Sequence, residues 1–153
     1  MGRHATIINM EKGLIRVSVI TICHDGDGKY LLGKRSINCR DEQGKWEPVG
    51  GGGLKFGETI EEAARREVKE EGGVEVLKLD FLGYRDVFRD QDGKNTHWLA
   101  MDFRALIDPA QARIAEPHKC DEQRWVTLEE LVAMPDLHSQ FPAFVEKYKQ
   151  SLV

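Results

Sequence analysis

Residues 52–74 read GGLKFGETIEEAARREVKEEGGV, a glycine-rich turn feeding an acidic helix. Thr59 followed by Glu62 has the capping-box form, in which hydroxyl and carboxylate each satisfy an orphan N–H of the first turn. Gly72 and Gly73 close the segment, because glycine adopts the left-handed conformation that a helix C-terminus commonly needs. The spacing predicts a helix over residues 60–71, roughly three turns at 3.6 residues each. Counted at about 100° per residue from Ile60, the apolar Ala63, Ala64 and Val68 fall within roughly 80° of it and define the buried stripe. On the same count Glu67 and Glu71 lie within about 20° of Ile60, inside that stripe, and Glu70 sits at its edge beside Ala63. Glu62, Arg65, Arg66 and Lys69 take the opposite, solvated side.

An acidic run such as EEAARREVKEE is ordinarily a solvated charged face. Here that reading fits poorly, since carboxylates turned toward the protein body repel one another and lose hydration. A hard divalent cation resolves the conflict. Mg²⁺ or Mn²⁺ prefers oxygen ligands and is typically shared between a few carboxylates and a substrate phosphate. Glu67 and Glu71 at i and i+4, with Glu70 at i+3, stand on adjacent rungs that can share one cation or a small cluster.

The segment also resembles the Nudix hydrolase family. Gly52, five residues, Glu58, seven residues, then Arg66-Glu67-Val68-Lys69-Glu70-Glu71-Gly72-Gly73-Val74 fill every fixed position of the 23-residue Nudix signature. The resemblance implies an α/β fold, an α/β/α sandwich with a mixed β-sheet between helices. It also implies an enzyme that cleaves a nucleoside diphosphate linked to another moiety, with Mg²⁺ or Mn²⁺ as cofactor. On this reading Glu67, Glu70 and Glu71 are metal ligands, and Arg66 orients the carboxylates together with Glu58. Nudix proteins usually carry Pro-Gly-Gly before the helix, whereas this chain reads Pro48-Val49-Gly50-Gly51-Gly52-Gly53, about one residue longer. Any of the four glycine carbonyls can then be the backbone ligand, and the count favours Gly52.

At 153 residues the chain is read as a single Nudix hydrolase domain, residues 1–153, long enough to bury a sizeable core. With 41% hydrophobic and 31% charged residues its composition is that of an ordinary globular protein. A net charge of -4 gives no basic footprint for a long nucleic acid, so a small anionic substrate has to be met by local cations and metal. Cys23, Cys39 and Cys120 are odd in number and irregularly spaced, without a zinc pattern, which reads as reduced thiols. No apolar run approaches the ~20 residues of a membrane span, and residues 1–13 lack a signal-peptide core, so no membrane partner and a cytoplasmic location are expected.

Taken in order, residues 14–23 (LIRVSVITIC) read as a strand, DGDGK as a turn, and residues 30–34 as the returning strand. Residues 35–45 are polar and read as a loop bordering the site. Residues 46–49 form a short strand leading into the glycines, whose purpose is close backbone approach to a metal or phosphate. Alternating apolar residues over 74–89 predict one or two strands, followed by a turn over 90–95 and a strand over 97–106. Residues 107–119 read as a loop, 123–126 as a short strand, and Thr127 with Glu130 as a second capping box. Residues 141–152 suggest a last amphipathic helix.

The mechanism implied by the resemblance is delivery of a metal-activated water to one phosphorus. Glu70 or Glu71 can serve as base, as can Glu116 from a later loop. The segment Ala115-Glu116-Pro117-His118-Lys119-Cys120 ahead of Trp125 resembles one found in nucleotide-hydrolysing members. Among histidines, His97 and His118 fall near the site by chain position, while His4, His24 and His138 read as surface residues. Trp46, Phe81 and Trp98 can stack a base, although aromatics on strands are usually core.

Substrate markers outside the signature are sparse. The proline of ADP-ribose enzymes is replaced by Arg89 and Asp90, and the tyrosine of dinucleoside polyphosphate enzymes is missing. Leu31-Leu32-Gly33-Lys34-Arg35-Ser36, with Arg40 and Gly44, partly resembles coenzyme A-cleaving members. The Glu116 segment favours a nucleoside triphosphate, cut to monophosphate and pyrophosphate. A noncatalytic nucleotide-binding module is the alternative, and it would be expected to have lost one of the glutamates. Nudix enzymes are often dimers, and the resemblance leaves a homodimer open, while the sequence itself does not give the oligomeric state.

Overall fold

The computed structural model describes residues 13–91 and 93–152, so the expectation for His4 lies outside the described residues. Seven strands form one mixed sheet: β1 (Ile15–His24), β2 (Lys29–Arg35), β3 (Trp46–Pro48), β4 (Gly51–Gly53), β5 (Lys78–Gln91), β6 (Lys94–Leu106) and β7 (Cys120–Thr127). Among the described residues three helices accompany them: α1 (Ile60–Gly72), α2 (Leu128–Ala133) and α3 (Phe141–Tyr148), the last running into a 3₁₀ turn at Lys149–Ser151. The strand order is β3-β2-β1-β6-β5, with β4 paired to β1 and β7 to β2. Among the described strand pairs only β1–β6 is parallel, running from Ile15↔His97 to His24↔Leu106.

Successive residues of β1 point to opposite faces, as a pleated strand requires. Val19 packs with Ala63, Ala64 and Phe103 on the α1 face, while Ile22 packs with Phe141, Phe144 and Tyr148 on the α3 face. Helices therefore cover both faces, which is the α/β/α sandwich anticipated from the sequence. No described helix is long and apolar enough to cross a membrane.

The glycine run departs from the sequence reading. Residues 51–53 are a strand, pairing Gly51, Gly52 and Gly53 with Ile20, Val19 and Ser18. Glycines carry no side chain to alternate, so periodicity could not announce it. β1 consequently pairs with β2 only at Cys23↔Leu31 and His24↔Tyr30, then hands the same edge to β4. The two branches diverge from that point, and a cleft opens between them.

Gly50 lies at the hand-over, where its carbonyl accepts from Thr21 N–H at 2.9 Å and its φ is +123°. A Cβ there would stand 2.7 Å from Val68 Cγ2 and 3.2 Å from Thr21 Cβ. Gly50→Ala is expected to lose about 3 kcal/mol in urea unfolding, from backbone strain and overpacking together. Gly53→Ala, where an added Cβ meets nothing within 4 Å, is expected to stay within about 0.5 kcal/mol of wild type.

Elsewhere the differences are of extent. α1 runs one residue past the predicted end, to Gly72, and Gly73 at φ 62° closes it by donating to Lys69 O. Residues 78–91 form one strand, bulged between Phe81 and Gly83 where its pairing to β6 shifts register. β7 is longer than predicted because it pairs with the whole of β2.

Candidate active site

α1 is fixed at its start by the predicted capping box: Glu62 N–H donates to Thr59 Oγ1 at 3.1 Å, and Thr59 N–H to Glu62 Oε2 at 2.8 Å. Ala63, Ala64 and Val68 then bury against β1 and β4, which fixes the rotation of the helix. That rotation turns Glu67 inward, where it is only 8% exposed, and leaves Glu70 exposed at the rim.

Arg66 was assigned to the solvated side by the helical count, and the structure corrects this. Its backbone does lie there, but the long side chain folds back and is 20% exposed. Its Nε donates to Glu58 Oε1 at 2.6 Å, Nη1 to Glu67 Oε1 at 2.6 Å and to Glu70 Oε2 at 3.3 Å, and Nη2 to Gly53 O at 3.2 Å. One guanidinium thus ties the loop before the helix, two helix carboxylates and β4 together. The Arg66 hydrogen bond draws the Glu58 carboxyl down to about 2.

Glu71 faces the other way, into the cleft between the branches of the sheet. Its Oε2 accepts from Gly50 N–H at 2.7 Å and from Gly51 N–H at 3.4 Å. Desolvation nevertheless pushes its carboxyl well above the usual range, with the charges of Glu47 and Glu67 adding to the rise. Glu67 is raised as well, by burial first, with Glu70 and Glu116 opposing the relief that Arg66 brings. Glu67 and Glu71 are therefore costly to keep ionised without a further positive charge.

Gly52 lies directly against this group. A Cβ at that position would stand 2.3 Å from Glu67 Oε1 and 2.5 Å from its Cδ, so the carboxylate occupies the space a side chain would take. The donor set of carboxylate oxygens packed on a glycine backbone suits a hard divalent cation. The carboxylates are not gathered on one point in this arrangement: Glu67 and Glu70 face Arg66, whereas Glu71 faces backbone amides. Among the described residues no three His, Cys, Asp or Glu side chains converge on a common centre for a metal.

The loop after β6 is laced to the end of α1. Arg113 N–H donates to Gly72 O at 2.9 Å and Ala115 N–H to Glu71 O at 3.2 Å. Glu116 follows immediately, and it lines the same cavity of about 450 Å³ as Glu71. Lys34, Arg35, Arg40, His118 and Lys119 share that lining. Lys119 Nζ stands 3.6 Å from Glu116 Oε2. A second cavity of about 250 Å³ adjoins it, the two sharing Ile20, Arg40, Glu47 and Pro48.

The remaining sequence candidates separate cleanly. His118 lines the first cavity, but His97 lines neither, being paired with Asp86 at 2.8 Å and packed on Phe88. His138, read as a surface residue, is part-buried, lines the second cavity and contacts Glu42 Oε2 at 2.8 Å. His24 is likewise half-buried, accepting from Gly26 N–H at 3.2 Å. Trp98 faces the second cavity, Trp46 is core with Arg124 over its ring, and Phe81 packs edge-on to Phe103. All three cysteines are free.

Sequence reasoning missed the buried ion pair that holds Arg85, a lining residue of the second cavity. Asp102 is fully buried, bound in a fork by Arg85 Nε at 2.7 Å and Nη2 at 2.9 Å, and it accepts from Tyr148 OH at 2.6 Å. The signal was an aspartate inside the otherwise apolar run of residues 98–103, WLAMDF. Asp102→Ala would leave Arg85 buried without its partner, and calorimetric or urea unfolding is expected to show a loss of about 3 to 5 kcal/mol.

A mixed sheet between helices, with a capped helix presenting Glu67, Glu70 and Glu71 beside a glycine strand, defines a class of hydrolase-like α/β/α folds. The NUDIX domain family matches residues 14–148, and the chain belongs to that family. Among curated proteins it is similar to the nucleoside triphosphatase NudI of Salmonella agona, 45% identical over 64 residues, and to that of Salmonella arizonae at 44%. The match spans 42% of this chain and 43% of the relative's length. Among solved structures it is similar to a MutT protein from Methanosarcina mazei Go1, with TM-score 0.77, 26% identity, and coverage of 92% of this chain and 96% of that one. A MutT Nudix hydrolase from Burkholderia pseudomallei superposes with TM-score 0.74 at 27% identity, covering 88% and 98% respectively.

Proposed function

We propose that the protein hydrolyses nucleoside triphosphates to the monophosphate and pyrophosphate. The observation that carries this is the placement of the carboxylates of Glu71 and Glu116 on one cavity that also carries Lys34, Arg35, Arg40 and Lys119. The NudI relatives support the triphosphate class. Glu67, Glu70, Glu71 and the Gly52 carbonyl would hold Mg²⁺ or Mn²⁺, which supplies Lewis-acid polarisation of the anhydride and acidifies water.

The chain's own groups do the rest. Arg66 holds Glu67 and Glu70 in place from Glu58 and Gly53. Lys34, Arg35 and Lys119 offset the negative charge of the phosphate chain in the cleft. Water adds to the α- or the β-phosphorus, the bridging P–O bond to that phosphorus breaks, and the nucleoside monophosphate and pyrophosphate separate. A carboxylate accepts the proton of that water, and Glu116 is the candidate base outside the helix, with Glu70 and Glu71 as the others.

The test is a panel of ribo- and deoxynucleoside triphosphates, ADP-ribose, dinucleoside polyphosphates and coenzyme A with Mg²⁺, read as phosphate released after pyrophosphatase or phosphatase treatment. Turnover of triphosphates to monophosphate plus pyrophosphate is expected. Turnover of nothing, or of coenzyme A alone, overturns the reading.

A further inference from the structure

Residues 36–45 run along the junction of the two cavities, and they are fastened unusually firmly. Arg35 donates to Asp41 O at 3.0 Å and to Asp41 Oδ1 at 2.9 Å. Arg89 on β5 reaches Asp41 Oδ2 at 3.0 Å and Glu42 Oε2 at 2.9 Å. Glu42 also contacts His138 at 2.8 Å and accepts from Ser139 N–H at 2.7 Å and Ser139 Oγ at 2.9 Å. Its φ of 50° is the positive value of a non-glycine residue, a conformation that persists where surrounding contacts over-determine it.

This clasp sets the position of Arg40, its immediate neighbour in the chain. Arg40 lines both cavities, yet it has no hydrogen bond or ion pair with any described residue. The other cations of the second cavity are all engaged: Arg85 with Asp102, Arg89 with Asp41 and Glu42, and His138 with Glu42. An exposed guanidinium on a strained, clasped loop is therefore left as the free anion ligand at the boundary. On one side of it Glu71 and Glu116 stand in the first cavity. On the other, Val87, Trp98, Phe141 and Phe144 give the second cavity an apolar, aromatic wall.

We infer that Arg40 binds the phosphate attached directly to the nucleoside, with the base against the aromatic wall and the scissile anhydride toward Glu71. This deepens the hydrolase reading and rests on it for the substrate class. A guanidinium donates two parallel N–H bonds to one phosphate, which suits it to fix the ligand's register across the junction.

Calorimetric or NMR titration with adenosine, AMP and α,β-methylene-ATP, and with the guanine series in parallel, tests the assignment without turnover. Arg40→Gln is expected to weaken monophosphate and triphosphate alike by about tenfold or more, the size of one charge-assisted hydrogen bond, and to leave the nucleoside unaffected. Arg40→Lys is expected to recover part of the loss. The melting temperature should not move, since no protein group loses a partner. In the triphosphatase assay KM should rise with kcat little changed, as for an interaction made equally in ground and transition states. Unaltered binding of all three ligands overturns the inference, as does weakening of the triphosphate alone or equal weakening of the nucleoside. Wild-type protein that binds monophosphate through Arg40 but turns over no triphosphate would sink the hydrolase reading and leave the ligand assignment standing.

Discussion

Glu71→Gln is expected to make the metal-free protein more stable while removing its activity. Glutamine keeps the volume and an acceptor oxygen for Gly50 N–H, so the contact at 2.7 Å survives and the charge alone is lost. The sign follows from linkage. Burial holds the folded-state carboxyl well above its ordinary 4.5, so the folded state binds the proton more tightly than the unfolded chain does. That contribution is complete below 4.5 and is lost as pH rises toward the folded-state value. At pH 7 to 8 wild type therefore carries an uncompensated penalty that the glutamine variant lacks, about 1 to 3 kcal/mol, or a rise of a few degrees in Tm. Millimolar Mg²⁺ should raise the Tm of wild type by mass action and that of the variant much less. Turnover of a nucleoside triphosphate should fall by about 10² to 10⁴. Thermal melts at pH 5 and 8 with and without Mg²⁺, beside the phosphate-release assay, give all three readings. A variant that melts lower than wild type at pH 8, or that retains turnover, contradicts the assignment.

How much of this could be read beforehand depended on distance along the chain. Both capping boxes were legible, because Thr59–Glu62 and Thr127–Glu130 are three residues apart and their geometry is local. The inward turn of Glu67 was legible for the same reason, since helical rotation follows from the apolar stripe. Arg66 shows where the count fails: a helical wheel places Cα and Cβ, whereas a guanidinium acts several bonds away. The clasp on residues 36–45 was not legible, because Glu42 and Ser139 are 97 residues apart and nothing in either neighbourhood names the other. Asp102 lies 17 residues from Arg85 across a bulged strand pair, and only the register brings them together. Glu116 is intermediate. A short motif singled it out, but its place opposite Glu71 depends on the hydrogen bond from Ala115 N–H to Glu71 O, which only the folded loop supplies.

Gly52→Ala separates what the glycine strand does for folding from what it does for chemistry. Gly52 does not adopt a positive φ, so alanine meets no backbone strain there, and its pairing to Val19 uses main-chain groups only. The three atoms nearest the added methyl all belong to Glu67. The methyl would stand 2.3 Å from Glu67 Oε1 and 2.8 Å from Oε2, and these are the ends of a flexible side chain rather than packed core. The carboxylate can move aside, so stability should change by no more than about 1 kcal/mol. Moving aside is what the site cannot tolerate. Glu67 would leave both its seat on the glycine backbone and the Arg66 contact at 2.6 Å, and a misplacement of about 1 Å at a reacting centre costs on the order of 100-fold. The variant should fold with wild-type cooperativity, require more Mg²⁺ for half-maximal turnover, and lose about 100-fold in kcat/KM. Gly53→Ala is the internal comparison, one residue along the same strand with nothing within 4 Å of its Cβ, and it should retain activity. Equal activity of the two alanine variants would mean that the seat of Glu67 on Gly52 has no part in catalysis. Unfolding of Gly52→Ala alone would mean that the contact is structural instead.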